Sequence, residues 1–468
     1  MMAPSVLRPA TQAAVAREDA AAVATRLAAF ASDPGQCARA LTTSLAAFTR
    51  GTATLVDLRI GDAIAGRRGK AFLLLDARLR DTPAADARAQ RFVFEFFADD
   101  DGRKVLWRMR RRGLAGTHQL YARYVPEHRM LIHEFPFDYR LDTLVEACSA
   151  RRMQPRLSAL SGNRALKIEA IDIVRYVPEK RCLIRYDVST DGGRETWLGK
   201  VYVHDDDLAS GHVQAALWAA ALEGVGPRVP GVVGILPDVR LVVQRHVDGT
   251  SVYDSLRAGS LTPTHLAATA RAAARLHATT LPIARRHDWH DELAVARGAV
   301  ERSSLDAAVR AHAAGVAAQL SRAAVDRQPA HVAVHRDFYD KQVLVTPGGV
   351  TLIDFDTAST SYRELDVANF VAHLMLRARQ GYVDADRAGA QARTFVAGYL
   401  EHAPLDLTRY RLTLATTWLR LAAVYAMRPL WRQLAPALVD LAEQAVASTA
   451  CPDPLALTQT VFEARNQQ

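Results

Sequence analysis

The chain has 468 residues, of which 49% are hydrophobic and 23% are charged. This composition is typical of a folded protein and excludes a disordered tail, a collagen-like fibre and a disulfide scaffold. The 59 basic residues outnumber the 50 acidic ones, and no run of 18 apolar residues occurs, so the sequence predicts no membrane span.

The basic residues are almost all arginine, since the chain contains only six lysines. The densest basic run is RMRRR at 108–112, and a solvated basic face explains it better than a nucleic-acid site does. We therefore expect no nucleic-acid partner. The four cysteines lack metal-ligand spacing, which favours reduced thiols in a cytoplasmic protein.

The first 150 residues predict a separate α+β segment whose role the sequence does not reveal. Residues 10–50 are alanine-rich and predict helices with a break at SDPGQ, 32–36. From residue 52 the hydrophobic period changes to two, which predicts strands. The predicted strands are TATLVDLRI, KAFLLLDARL, QRFVFEFF and RKVLWRMR, with DDDG (99–102) as a hairpin turn between the last two.

A second strand-rich block begins near residue 165 and predicts a small lobe over 165–248. Two long strands flank the turn STDGGR (189–194), a helix is expected at 209–222, and VRLVVQRHV (239–247) predicts a further strand. The rest, 249–468, predicts a helical large lobe with one hairpin at 341–355. The stretch 120–135 resembles 174–188, through either chance or duplication of a hairpin.

The strongest chemical signal is HRDFYDKQVLV (335–345) followed by VTLIDFD (350–356). Asp337, Gln342 and Asp354 form a set suited to phosphoryl transfer. One carboxylate must accept the proton of the attacking hydroxyl, and an amide oxygen with a second carboxylate must hold Mg²⁺ on the nucleotide phosphates. The predicted hairpin returns Asp354 to the end where Gln342 lies.

HRDFYDKQ has the H-R-D-x-x-x-x-N pattern of the protein-kinase catalytic loop, and IDFD stands in the place of D-F-G. The apolar context resembles more closely the aminoglycoside phosphotransferase and choline kinase-like family, with SYRELDVANF (361–370) in the place of its GDPAYDLA. The resemblance implies an α+β, protein kinase-like two-lobed fold with a small β-rich lobe, a large helical lobe and the extra N-terminal segment.

The resemblance also implies roles for single residues. Asp337 matches the catalytic base, Asp354 the principal Mg²⁺ ligand, and Asp366 the aspartate that braces the catalytic loop by accepting backbone N–H bonds. His335 is expected to pack under that loop. Gln342 departs from the family's asparagine but keeps the amide oxygen, so we expect it to bind the metal; a broken metal site is the alternative.

Lys200 lies in an apolar strand, TWLGKVYVH, and resembles the lysine that holds the α and β phosphates. An edge-strand lysine with no ligand is the alternative. The following helix offers only Gln214 where the family has a glutamate, so the partner of Lys200 stays open.

The turn PEKR (178–181) stands where the family has a glycine-containing loop over the phosphates. Either Lys180 or Arg181 contacts phosphate through its side chain, or the turn is merely tight. The segment QRHV, with Gln244 and His246, resembles the hinge that hydrogen-bonds the nucleotide base.

The sequence therefore predicts an enzyme that uses Mg²⁺ and ATP, with GTP as the alternative, to phosphorylate a hydroxyl of a small molecule. The basic chain favours a neutral or anionic acceptor such as a sugar. The second hypothesis is a nucleotide-binding regulatory pseudokinase whose residues 1–150 bind a protein partner.

Overall fold

The computed structural model describes residues 9–66, 69–82, 85–114, 116, 121–323 and 331–463. The chain forms two compact units, the first comprising Met1–Asp205 with Ile235–Val243 and the second Asp206–Gly234 with Gln244–Gln468. Two five-stranded sheets precede residue 250 and most helices follow it, which confirms the predicted α+β class. That the segments bounded at 150, 165 and 248 are separate folding units stays a prediction.

The N-terminal helices break where the sequence predicts. Asp33 caps the second helix, because its carboxylate accepts the backbone N–H of Gln36 at 2.9 Å, and Pro34 fills the first helical position. These helices are α1 (Pro9–Ser32), α2 (Pro34–Ser44) and α3 (Ala46–Thr49).

The first sheet is antiparallel and has the order β1-β2-β3-β5-β4. Its inward side chains, among them Leu73 and Phe94, pack with Phe30 of α1 in one apolar core. The strands are β1 (Thr54–Ala65), β2 (Ala71–Arg80), β3 (Arg88–Phe96), β4 (Arg123–Val125) and β5 (Met130–Glu134).

The prediction of a strand at RKVLWRMR is wrong, because this stretch lies in a helix, α4 (Asp101–Arg111). Val105, Leu106 and Met109 are buried, a spacing that repeats with the turn of a helix and not with the alternation of a strand. The arginines of the run 108–112 fall in the last turn, where positive charge is favourable. DDDG is therefore the start of a helix and not a hairpin turn.

The second sheet, preceded by α5 (Leu144–Ala147) and α6 (Ala150–Ser161), confirms the strands and the hairpin predicted between 165 and 248. Its order is β6-β7-β8-β10-β9. The elements are β6 (Lys167–Val177), β7 (Arg181–Thr190), β8 (Gly193–Tyr202), α7 (Ala209–Leu222), β9 (Val232–Leu236) and β10 (Leu241–Arg245).

The two sheets have the same topology. In each, a helix joins the third strand to the fourth, and a 3₁₀ turn that begins with proline joins the fourth to the fifth. An arginine in the left-handed region follows both turns, Arg129 with φ 44° and Arg240 with φ 50°. The hairpin at 123–134 thus corresponds in topology to the one at 232–245, and not to the stretch 174–188 that it resembles in sequence.

The second unit is mainly helical and is built around α12 and α14, whose residues are largely buried. Its elements are α7, β11 (Thr250–Ser251), α8 (Val252–Arg257), α9 (Pro263–Ala278), α10 (Trp289–Arg302), α11 (Ala307–Arg322), β12 (Val332–Val334), β13 (Val343–Thr346), β14 (Gly349–Leu352), β15 (Ser359–Ser361), α12 (Glu364–Arg379), α13 (Ala385–Leu400), α14 (Leu407–Ala426), α15 (Ala435–Ala447) and α16 (Pro454–Glu463). No helix among the described residues is both long and apolar enough to cross a membrane.

A charged cluster links the two sheets inside the first unit. The Nζ atom of Lys70, in the β1–β2 turn, lies 2.6 Å from a carboxylate oxygen of Glu95 and 2.8 Å from one of Glu179, in the β6–β7 turn. Glu95 is buried, and burial raises its pKa to about 8 against the opposing effect of the Lys70 charge. Burial therefore favours the protonated form of Glu95 in the folded cluster.

This proton makes the stability of the first unit depend on pH. Glu95 holds it in the folded state but loses it near the ordinary glutamate pKa in the unfolded state, so its contribution falls as pH rises from about 4.5 through about 8. The slope should be at most about 1.4 kcal/mol per pH unit, the limit for one proton. In Glu95→Gln this slope should vanish. Denaturant unfolding of both proteins from pH 5 to pH 9 tests it, and parallel pH profiles would contradict it.

Candidate active site

The loop 335–342 follows β12, and the β13–β14 hairpin begins where the loop ends. The backbone N–H of Ile353, just after β14, donates to the carbonyl oxygen of Gln342 at 3.0 Å. The chain that leaves the hairpin is thereby fixed beside the end of the loop. The hairpin therefore brings Asp354 back to the end where Gln342 lies.

Asp337 and Gln342 meet inside the loop. The Nε2 atom of Gln342 lies 3.5 Å from a carboxylate oxygen of Asp337, at the limit of a hydrogen bond. Gln342 is 8% exposed, whereas Asp337 is only half-buried. The loop thus carries a carboxylate that solvent reaches and, beside it, a buried amide.

The buried carboxylate of Asp366, at the start of α12, holds the loop from beneath. It accepts the backbone N–H groups of His335 and Arg336, both at 2.7 Å, and lies 3.1 Å from Nε2 of His277 on α9. These bonds are the ones that the sequence predicts for Asp366. Arg336 has φ +68°, a conformation that costs a non-glycine residue free energy, and its bond to Asp366 offsets that cost.

His335 packs under the loop and joins it to the hairpin. Its side chain is fully buried, its Nε2 atom lies 2.9 Å from the carbonyl oxygen of Ile353, and its ring is 4.9 Å from that of Phe355. The hydroxyl of Thr357 donates to the carbonyl oxygen of His335 at 3.0 Å. His335 therefore orients the residues on both sides of Asp354.

Arg336 has an acidic neighbour that the sequence leaves unidentified. Burial and the nearby Arg285 and Arg420 lower the pKa of Arg336, while the charge of Glu292 on α10 opposes this shift. Glu292 is buried, and one of its carboxylate oxygens lies 2.8 Å from Nε2 of His287. Glu292 is thus the acidic neighbour of Arg336, and it also lies 3.7 Å from Nε of Arg420.

The motif contains a further functional carboxylate that the sequence analysis missed. Asp340 is fully buried and accepts two hydrogen bonds, at 2.7 and 2.9 Å, from the guanidinium of Arg377 on α12. An arginine within the mainly apolar stretch FVAHLMLRAR was the available signal, because a buried arginine requires an acidic partner. Asp340 holds the loop to α12.

The carboxylates of Asp337 and Asp340 affect the pKa of Tyr339, which lies between them in the sequence. Burial raises the pKa of Tyr339 to about 12, and the negative charges of Asp337 and Asp340 add to the shift. The Tyr339 ring lies 4.6 Å from that of His373, centre to centre, at an angle of 33°. Tyr339 is therefore neutral at physiological pH.

Three of the predicted nucleotide-binding residues belong to the first unit. Lys200 lies opposite Leu183 in the β7–β8 pair, and its Nζ atom is 5.6 Å from the centre of the Tyr202 ring. Lys180 and Arg181 lie in and just after the β6–β7 turn. Because β7 begins at Arg181, the turn and Lys200 lie at the same end of the sheet.

The predicted hinge residues belong to the second unit. His246 is partly exposed, and its Nε2 atom lies 3.2 Å from a carboxylate oxygen of Asp248. The buried Gln214 on α7 donates from Nε2 to the side-chain oxygen of Gln244 at 2.7 Å and to the carbonyl oxygen of Pro230 at 3.1 Å. The side chain of Gln214 thus fixes that of Gln244.

Residues 185–412 match the model of the phosphotransferase enzyme family. A comparison with curated proteins found no match. Solved structures similar to this chain include a choline/ethanolamine kinase family protein from Mesorhizobium loti, at 15% identity over 66% of this chain and 99% of that chain (TM-score 0.43). They also include the amicoumacin kinase hAmiN, at 14% identity over 65% and 96% (TM-score 0.44), and the macrolide 2′-phosphotransferase MphH from Brachybacterium faecium, at 15% identity over 61% and 98% (TM-score 0.40).

Removal of the Asp340 carboxylate should strongly destabilise the second unit. Asp340→Ala leaves the Arg377 guanidinium buried without its acceptor, which costs about 3–5 kcal/mol of unfolding free energy. Asp440→Ala is the matched control, because Asp440 lies 3.7 Å from His312 at an exposed position and should cost about 1 kcal/mol or less. Chemical unfolding of both variants measures the difference, and equal losses would contradict the role of Asp340.

Proposed function

We propose, from the match of residues 185–412 to the model of the phosphotransferase enzyme family, that the chain transfers the γ-phosphate of ATP to a hydroxyl of a small molecule, with GTP as the alternative donor. One observation carries the proposal. The β13–β14 hairpin returns the chain at Ile353 to Gln342, whose side chain lies 3.5 Å from Asp337. One short stretch of backbone, 337–354, thus carries the three side chains to which we assign phosphoryl transfer.

Asp337 is proposed as the residue that receives the acceptor. One of its carboxylate oxygens would bind the hydroxyl and accept its proton as the new bond to phosphorus forms. The bonds that the backbone N–H groups of His335 and Arg336 donate to Asp366 keep the loop rigid, so the carboxylate of Asp337 does not need to be oriented during the reaction.

Gln342 and Asp354 are proposed to hold a divalent cation, Mg²⁺. They offer an amide oxygen and a carboxylate, the ligand types that hard cations prefer, so the donor set fits such an ion. Among the described residues no group of three or more His, Cys, Asp or Glu side chains is arranged as a metal site, so the phosphates would complete the coordination. When bound, the ion supplies neutralisation of the phosphate charge.

Residues outside the loop are proposed to bind the nucleotide. Lys200 would pair with the phosphates, as would Lys180 or Arg181 in the turn at the same end of the sheet. Gln244 and His246 would face the base. Gln214 fixes the Gln244 side chain by a 2.7 Å hydrogen bond, which favours a single orientation of that amide.

A neutral or anionic acceptor, such as a sugar, is favoured by the charges beside the loop. Three cations surround the ring of Tyr253: Lys341 at 4.2 Å, Arg377 at 4.7 Å and Arg257 at 5.5 Å from its centre. Burial and the charge of Arg377 lower the pKa of Lys341. Asp340 neutralises Arg377, so the net positive charge beside this ring is that of Lys341 and Arg257, which disfavours a polycationic acceptor.

The second candidate function is a nucleotide-binding regulatory protein that acts through a protein partner. It is favoured by Gln342 in the place of the family's asparagine and by the absence of glycine from the turn 178–181. A single measurement distinguishes the two functions, because only the first consumes ATP in the presence of an acceptor.

Substitution of Asp337 tests the proposed base. Asp337→Asn should retain nucleotide binding while turnover falls at least ~10²-fold, the usual effect of losing a general base. The control is Asp384→Asn, because Asp384 caps α13 and asparagine caps equally well. Initial rates of ADP formation with a pool of small metabolites, together with calorimetric ATP binding, give both quantities. Equal turnover in Asp337→Asn and wild type would exclude the role.

Substitution of Gln342 separates the two candidate functions. Gln342→Asn should withdraw the amide oxygen by about one C–C bond and lower turnover, and Gln342→Ala should lower it further and raise the metal concentration required. ATP consumption of the three proteins should be measured against Mg²⁺ concentration. If all three bind nucleotide but none consumes it at any metal concentration, the regulatory function replaces the enzymatic one.

A further inference from the structure

The turn between β6 and β7 is held by residues far from it in the sequence. The backbone N–H of Glu179 donates to a carboxylate oxygen of Asp138 at 2.8 Å, and its side chain lies 2.8 Å from Nζ of Lys70. Lys70 and Asp138 both belong to the segment before residue 150. We name Lys70, Asp138 and Glu179 the turn clamp.

Asp138 is built to hold this turn. It is 2% exposed, and the oxygen that binds Glu179 also accepts the hydroxyl of Tyr176 at 2.7 Å. Its other oxygen accepts the backbone N–H groups of Arg140 and Leu141 at 2.8 and 3.0 Å. Four donors fix the carboxylate of Asp138, so the position of the Glu179 backbone N–H that it binds is fixed as well.

Glu179 requires such support because of its backbone. Its φ is +57°, in the left-handed region, which costs a residue with a Cβ of the order of 1 kcal/mol. The same turn would be free of this cost with glycine, as in the phosphate-covering loop that the family resemblance implies. Here the bonds from Asp138 and Lys70 hold an otherwise unfavourable conformation.

The first sheet has an apolar residue at the position where the second has Lys200. In the β7–β8 pair, Lys200 lies opposite Leu183, the third residue of β7. In the β2–β3 pair, the position opposite the third residue of β2, Leu73, is occupied by Phe94, which is fully buried in the core. The β1–β2 turn of the first sheet instead carries Lys70, which contacts the turn of the second.

We propose that Lys70 and Asp138 are positioning residues for phosphoryl transfer, which hold the β6–β7 turn so that its basic residues meet the nucleotide phosphates. The proposal rests on the proposed function. The clamp fixes the backbone next to Lys180 and Arg181 before the nucleotide binds. The side chains of this turn would then contact the phosphates that backbone N–H groups contact in a glycine-rich loop. Neither Lys70 nor Asp138 contacts the reacting atoms.

A positioning role predicts a change in KM rather than in kcat. Without the charge of Lys70 the turn should become mobile. Nucleotide binding must then also order the turn, and the free-energy cost of that ordering weakens the binding. Lys70→Met and Glu179→Gln should each raise the KM for ATP about tenfold, the equivalent of one charge-assisted hydrogen bond, with kcat within about twofold of wild type. The double variant should show no further rise, because both changes remove the same contact.

Two control variants and one hydrogen-exchange measurement separate an effect on the position of the turn from an effect on folding. Lys104→Met removes an exposed lysine of the same segment, paired with Asp101, and should leave KM unchanged. Lys70→Arg keeps the charge and should restore KM to near the wild-type value. Hydrogen exchange of the peptide 176–182 should be faster in Lys70→Met and Glu179→Gln, and the rest of the second sheet should exchange as in wild type.

The outcomes distinguish a failure of the proposed function from a failure of the turn clamp. A wild type that binds no Mg·ATP overturns the proposed function. If wild type binds ATP but transfers no phosphate, the Kd for ATP replaces KM and must rise about tenfold in both single variants. Unchanged KM or Kd in variants that fold as wild type, or exchange that accelerates throughout the sheet, overturns the clamp and leaves the proposed function standing.

Discussion

The active-site loop depends on one buried carboxylate. Asp366 replaces the water that the backbone N–H groups of His335 and Arg336 would otherwise bind, and it does so with two bonds of 2.7 Å. Its contact with His277 ties the same carboxylate to a second helix. An unsatisfied N–H in this dry environment costs free energy, so the loop has one stable course, and the position of Asp337 follows from it. The proposed catalytic group, Asp337, is thus positioned by a buried residue to which the proposal gives no part in the chemistry.

The sequence predicted well what is local. Strands of period two, the break capped by Asp33 and the β13–β14 hairpin are all confirmed, because neighbouring residues decide them. The error at RKVLWRMR has the same origin, since its mixture of apolar and basic residues fits both periods and the preceding DDDG suits both a hairpin turn and a helix start. Burial of Val105 and Met109 on one side, a tertiary property, determines the helix.

The sequence could not predict contacts between distant residues. Asp340 and Arg377 form a buried pair, and Lys70 reaches Glu179 across 109 positions. Pattern and spacing carry no information about such pairs, except that charged residues in apolar surroundings need a counterpart. The repeat of the first sheet in the second was visible only as the similarity of 120–135 to 174–188. That similarity matched hairpins that do not correspond in topology, because Pro-Glu turns suit any tight connection.

The comparison of the two sheets explains why the turn 178–181 can dispense with glycine. A single small lobe must cover phosphates with its own backbone, and only glycine permits the required approach and dihedral angles at no cost. A second sheet in the same unit offers an external support, since Lys70 and Asp138 stabilise the positive φ of Glu179 from outside the turn. The position equivalent to Lys200 in the first sheet is occupied by Phe94, which is fully buried in the core of that sheet. The lysine of one sheet and the phenylalanine of the other thus fit the proposed division of roles, in which the first sheet supports the turn and the second meets the phosphates.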